Sequence, residues 1–162
     1  MSYSIATPES TLIRPANTTA YAQNDLIASH VTAGSVVVPS FSVGAAGSAA
    51  EIRRVRLFTD ALSGWDAATF RIRLFSAAPT YTNGDNGAYA RATGTNGLLA
   101  EFDVTLVQAA DGAYGFAAPV VGAAAVLRLS GRKVYWDVQY TAVGALTPIS
   151  GQTLRLTAEI VG

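Results

Sequence analysis

Four stretches of this chain alternate apolar and polar residues with a period of two. They are Phe70-Arg71-Ile72-Arg73-Leu74, Ala100-Glu101-Phe102-Asp103-Val104-Thr105-Leu106, Val134-Tyr135-Trp136-Asp137-Val138-Gln139-Tyr140 and Leu154-Arg155-Leu156-Thr157-Ala158-Glu159-Ile160. Successive side chains of a strand point to opposite faces, so each segment reads as a strand with one buried face and one wet face. Ser35 to Val43 and Ile52 to Thr59 are rougher but rich in β-branched residues. Val126 to Leu129, followed by Ser130-Gly131, predicts a strand entering a tight turn into the Val134 strand. No stretch combines helical period with helix caps, and the alanine-rich pieces at Ala45–Ala50 and Ala123–Ala125 are too short for stable helices. Gly, Asn, Pro and Ser clusters separate the runs. The pattern predicts an all-β fold, an antiparallel β-sandwich of jelly-roll-like or Ig-like type rather than a closed barrel.

At 162 residues, half of them apolar, one domain with a substantial core is the expectation. Two segments stand outside the strand rhythm. One is residues 1–30, read as an extended N-terminal arm ahead of a sandwich domain at residues 31–162. In it Pro15 fixes its own φ and pushes Arg14 toward extended geometry. Asn17, Thr18 and Thr19 can fold back onto the local backbone, which predicts a shaped strap across a sheet with Tyr21 as its apolar anchor. The other is the loop from Ala77 to Gly97, punctuated by Asn83-Gly84, Asp85-Asn86-Gly87 and Asn96-Gly97. A loop this long is usually functional or mobile.

Acidic and basic residues are equal in number. That argues against a nucleic-acid groove, which needs a surplus of Lys and Arg, and against a polybasic membrane patch. No apolar run is long enough to span a bilayer, and no secretory signal is expected from Met1-Ser2-Tyr3-Ser4. The chain has no Cys, which excludes disulfides, thiol catalysis and Cys-based metal sites. Apart from Lys133 its bases are all Arg, the better residue for a fixed, planar interface. Arg54 and Arg56 alternate on one expected strand, Arg71 and Arg73 on the next. If those strands pair as a hairpin through Ser63-Gly64-Trp65-Asp66, the four arginines fall near one another, relieved by Glu101 and Asp103 on a neighbouring strand. This charged face is either a solvated surface or a docking face for a partner.

The residues give little support to catalysis, and no enzymatic activity or cofactor is expected. His30 is the single His, and no local motif brings a base and an orienting partner to it. Zinc-like ligand spacing is absent. Asp85-Asn86-Gly87 lacks the later Glu of a calcium loop and reads as turn chemistry. No Gly-rich phosphate loop follows any strand. Trp65 at a turn, with Tyr81 and Tyr89 in the long loop, leaves open a sugar-stacking surface, whereas Trp136 shares its face with Val134, Val138 and Tyr140 and reads as core.

The strap itself, Arg14-Pro15-Ala16-Asn17-Thr18-Thr19-Ala20-Tyr21 running on through Asp25 to Leu26 and Ile27, closely resembles a segment near the start of a family of small phage-encoded virion proteins. There the pattern reads Arg-Pro-Ala-(Asp or Asn)-Thr-Thr-Ala-Tyr, followed by Ala and a short Asp-(Val, Leu or Ile)-(Ile or Val) run. Ile72-Arg73-Leu74-Phe75-Ser76-Ala77-Ala78-Pro79, then Asp85-Asn86-Gly87-Ala88-Tyr89, resembles the family's Leu-Arg-Leu-Phe-X-X-X-Pro followed by Asp-Asn-X-Ala-aromatic. The chain departs from it after Tyr89, where the family tends toward an acidic, helical-looking segment and this chain has Arg91-Ala92-Thr93-Gly94-Thr95-Asn96-Gly97. The resemblance implies a structural protein of a tailed phage: a decoration (cement) protein on the capsid exterior, assembled in the bacterial cytoplasm. It further implies the major capsid protein and further copies of itself, as homotrimer or homodimer, as partners. On this reading Arg14, Pro15, Asn17, Thr18, Thr19 and Tyr21 belong to the capsid-contacting arm, and Arg54, Arg56, Arg71 and Arg73 help orient it. Deleting residues 2–20 is then expected to abolish capsid binding and leave the sandwich folded. A tail or baseplate component and a carbohydrate-binding adhesion module using Trp65 remain the alternatives.

Overall fold

A computed structural model of the chain describes residues 5–43, 49–92, 97–120, 125–128 and 133–161. The expected Ser130-Gly131 turn, most of the two alanine-rich pieces and the segment at 93–96 lie outside these residues. Two antiparallel sheets face one another, as the alternation predicts. The larger holds seven strands: β1 (Ile5–Ala6), β2 (Glu9–Ile13), β5 (Ala49–Thr59), β8 (Val107–Ala109), β9 (Gly112–Ala117), β10 (Ala125–Arg128) and β12 (Thr153–Val161). The smaller holds five: β3 (Leu26–Ile27), β4 (Ser40–Ser42), β6 (Thr69–Phe75), β7 (Leu98–Thr105) and β11 (Lys133–Tyr140).

In the larger sheet the order is β1-β12-β5-β9-β8, with β2 also on β12 and β10 also on β5. In the smaller it is β3-β11-β6-β7, with β4 also on β11. The inward residues of every alternating run meet between the sheets: Leu57, Leu156, Phe70, Ile72, Phe102 and Trp136 are fully buried there. Burying side chains of this size contributes about 1.5–3 kcal/mol each, which is what fixes the register of the two layers.

Two expected pairings are not formed. β5 and β6 do not make a hairpin but lie in opposite sheets, because both edges of β5 are taken, one by β12 and the other by β9 and β10. The connection at residues 60–68 crosses from one sheet to the other. Trp65 sits fully buried at this crossing, its ring stacked on Phe70 at 5.3 Å between centroids. Likewise β10 pairs with β5 rather than β11, whose edges carry β6 on one side and β3 and β4 on the other. In the 35–43 stretch only Ser40–Ser42 is strand, and Ala33–Ser35 forms a 3-10 turn.

Residues 5–13 run antiparallel along β12 and place Leu12 in the core. The strap that follows, residues 14–25, is tied back by reciprocal main-chain hydrogen bonds between Tyr21 and Leu146 (2.9 and 3.1 Å) and then enters β3.

Candidate functional site

The strap and the long loop form one unit. Asn17 Oδ1 accepts the Thr19 N–H at 3.2 Å, the local turn its sequence predicts. Arg14 and Tyr21 both turn inward, and their common partner is Asp85, at the tip of the loop. Arg14 Nη2 donates to Asp85 Oδ2 at 2.9 Å, the Tyr21 hydroxyl donates to Asp85 Oδ1 at 2.6 Å, and the Ala28 N–H donates to the same oxygen at 2.9 Å. Arg14 Nε also donates to the Tyr21 hydroxyl oxygen. The Arg14 and Asp85 side chains are wholly inaccessible. Burial, reinforced by Asp85, pushes the Tyr21 hydroxyl's pKa well up, so it remains a donor.

Main-chain bonds lace the same two segments together. The Asn86 N–H donates to Leu26 O (3.0 Å), the Leu26 N–H to Gly87 O (2.8 Å), the Tyr89 N–H to Asn24 O (2.8 Å) and the Asp85 N–H to His30 O (2.7 Å). Asn86 takes a left-handed φ of 65°, which an Asn tolerates, and its Nδ2 donates to Thr19 O at 2.7 Å. At Gly84 a Cβ would collide with the Val31 and His30 carbonyls, so only glycine admits this approach of the loop to the segment that follows β3.

Beneath the loop lies a second polar cluster on the outer side of the five-stranded sheet. Tyr81 and Tyr89 donate their hydroxyls to Asp137 Oδ2 at 2.9 and 2.8 Å. Arg73 Nη1 faces Asp137 Oδ1 at 3.7 Å, while the rest of its guanidinium donates to Glu101 (2.8 Å) and Gln139 (2.7 Å) and stacks 4.1 Å over the Tyr89 ring. Burial pushes the Asp137 carboxyl up to about 6, opposed by Arg73 and by the two tyrosine hydrogen bonds. Burial and Asp137 together push both tyrosine hydroxyls up as well. At the exposed margin of the same face Arg71 grips Asp103 through both oxygens, at 2.8 and 2.9 Å. That pair raises Arg71 and holds the Asp103 carboxyl below the usual range.

The four arginines expected on one face therefore divide between the two outer surfaces of the sandwich, because β5 and β6 belong to different sheets. Arg71 and Arg73 meet Asp103 and Glu101 in register, as the alternation predicts, but Arg73 is buried under the loop. Arg54 and Arg56 lie on the seven-stranded face, where Arg54 pairs with Glu159 at 2.6 Å. Of the strap, Arg14, Tyr21 and Asp25 are buried and Pro15 and Asn17 half-buried, so its exposed part is Ala16, Thr18 to Ala20 and Ala22 to Asn24.

Sequence reasoning passed over Asp85 as turn chemistry, Asp137 as an ordinary outward-facing residue, and the aromatic residues Tyr114 and Phe116 of β9. Trp65, the anchor of the sugar-binding alternative, offers no ring face because it is fully buried. Tyr81 is buried and Tyr89 half-buried, with both hydroxyls on Asp137. His30 uses Nδ1 to accept the Thr32 N–H at 2.9 Å, and among the described residues no three His, Asp or Glu side chains gather as a metal set would. No family model, curated protein or solved structure matches the chain. The fold and these surfaces define an all-β sandwich whose one outer face is clasped by its own strap and loop.

Proposed function

We propose that this protein is a structural component of a tailed-phage virion, a decoration protein that sits on the outside of the head and ties neighbouring capsid subunits together. One observation carries the reading. The two segments that resemble the virion family lie 64 residues apart at Tyr21 and Asp85, yet they close on each other as a single clasp. The contact gives both segments one structural task, holding the strap in a fixed shape, which supports reading them as parts of one pattern.

A clasp of this kind fixes the strap's outward profile before any partner arrives, which lowers the ordering cost of binding. Copies gathered around a symmetry axis would turn modest single contacts into avid attachment. The experiment is co-sedimentation of the purified protein with capsids stripped of accessory proteins, where saturable binding is expected. Substitutions at exposed strap positions such as Thr18 and Thr19 suit this test better than deletion of residues 2–20. That deletion would also remove β2, Leu12 and Arg14 from the fold.

A further inference from the structure

Arg54, Arg56 and Arg155 stand near one another on the outer face of the seven-stranded sheet, and two of them are answered within the sheet. Arg54 meets Glu159 at 2.6 Å and Arg155 meets Glu9 at 3.4 Å. Arg56 stands between them, and its cross-strand neighbours are Thr157 on β12 and Phe116 on β9, neither of them charged. Among the described residues no carboxylate pairs with it. Its guanidinium instead rests 5.2 Å from the Tyr114 ring, 5.6 Å from Phe116 and 6.0 Å from Phe58. The rings attract the cation, and among the described residues no acceptor is bonded to its planar donors, which suit an anion. Phe116 is 53% exposed, and among the described residues no segment covers this face as the loop covers the opposite one.

Two grooves flank Arg56. On one side it is joined by Glu9, Asp111 and Arg155, of which Glu9 and Arg155 pair with each other. On the other it is joined by Thr7, Arg54, Phe116, Thr157 and Glu159, and there Glu159 is taken by Arg54, which leaves Arg56 as the cation with no carboxylate partner among the described residues. We infer that this second groove receives a carboxylate side chain from an acidic segment of a partner protein, seated on Arg56 with its methylenes against Phe116. One arginine without a carboxylate partner matches one carboxylate. A phosphodiester backbone would instead lay a row of anions across Glu9, Glu159 and Asp111, and a chain of zero formal charge gives it no long-range attraction. Arg and aromatic side chains grouped in this way are the residues that dominate protein–protein interfaces.

The inference rests on the capsid reading and gives that contact its chemistry. It is tested by quantitative co-sedimentation with stripped capsids, using wild type, Arg56→Gln, Phe116→Ala and Asp111→Asn, with urea unfolding of each variant as the control on folding. Arg56→Gln is expected to weaken binding about tenfold or more with an unchanged unfolding midpoint, and Phe116→Ala to weaken it as well. Asp111→Asn, in the other groove, should bind as wild type does. Added salt should weaken wild type more than Arg56→Gln. Arg56→Lys keeps the charge over the rings and should recover part of the binding even if Arg56→Gln proves unstable. Wild type that binds while folded Arg56→Gln binds within about twofold of it would overturn this inference alone. Wild type that does not bind would overturn the capsid reading and this inference with it.

Discussion

Tyr21 and Asp85 are joined by a 2.6 Å hydrogen bond between enclosed groups, and through it the N-terminal strap is fastened to the tip of a loop 64 residues further along the chain. Arg14 completes the cluster from the strap side, so a carboxylate is held by a guanidinium, a phenol and a main-chain N–H at once.

Removing one member of such a cluster leaves the others buried and short of a partner. Asp85→Ala strands the Arg14 charge and is expected to cost about 3–5 kcal/mol. Tyr21→Phe keeps the ring in place and removes only the hydroxyl, for about 1–3 kcal/mol. Urea unfolding measures both, and the double variant should fall short of the sum because the two side chains share one interaction.

Asp137 gives the fold an uncommon pH response. Its carboxyl is pushed up to about 6, above the unfolded value of 3.8, so between these values the folded protein holds a proton that the unfolded chain has released. The stability that this proton contributes is full below the unfolded pKa and is lost as pH rises through about 6. The groups facing it are Arg73 from β6 and Tyr81, Tyr89 and Arg91 from the loop. Asp103 runs the other way: its lowered pKa gives stability above the unfolded value that is lost as pH falls. The comparison with Asp137→Asn isolates the first effect. The stability difference, wild type minus variant, should shrink as pH is raised from about 4 to about 7, and a constant difference would count against it.

β9 presses its backbone against β7 at Gly115. A Cβ there would stand 2.7 Å from Val104 Cγ1 and run into the Thr105 carbonyl, which cannot withdraw without shifting the main chain of β7. Gly115→Ala is expected to cost about 1–3 kcal/mol, read as a lower urea midpoint with an unchanged m-value. Alanine at Gly144, where a Cβ meets nothing within 4 Å, carries only the strain of its φ of 102°.

How far the fold can be read from the sequence depends on what each signal encodes. Period two reports that one face of a strand is buried, and the runs at β6, β7, β11 and β12 were legible for that reason. It does not report which strand lies alongside, so β5 and β6 read as a hairpin although β5 had no free edge. Nor does it report what lies over the outer face. Asp137 occupies an outward position in its run and is nonetheless buried, because Tyr81 and Tyr89 close over it from a loop 56 and 48 residues away. The strands β2 and β9 escaped notice because one is only five residues long and the other is interrupted by glycine.

The central claim is a place on the virion, and imaging of stripped heads re-incubated with the protein tests it most directly. The account predicts saturable extra density on the outer shell at local symmetry axes, with the strap's exposed threonines or the Arg56 face against the capsid subunits. Bare shells at saturating protein, or density confined to tails, would contradict it.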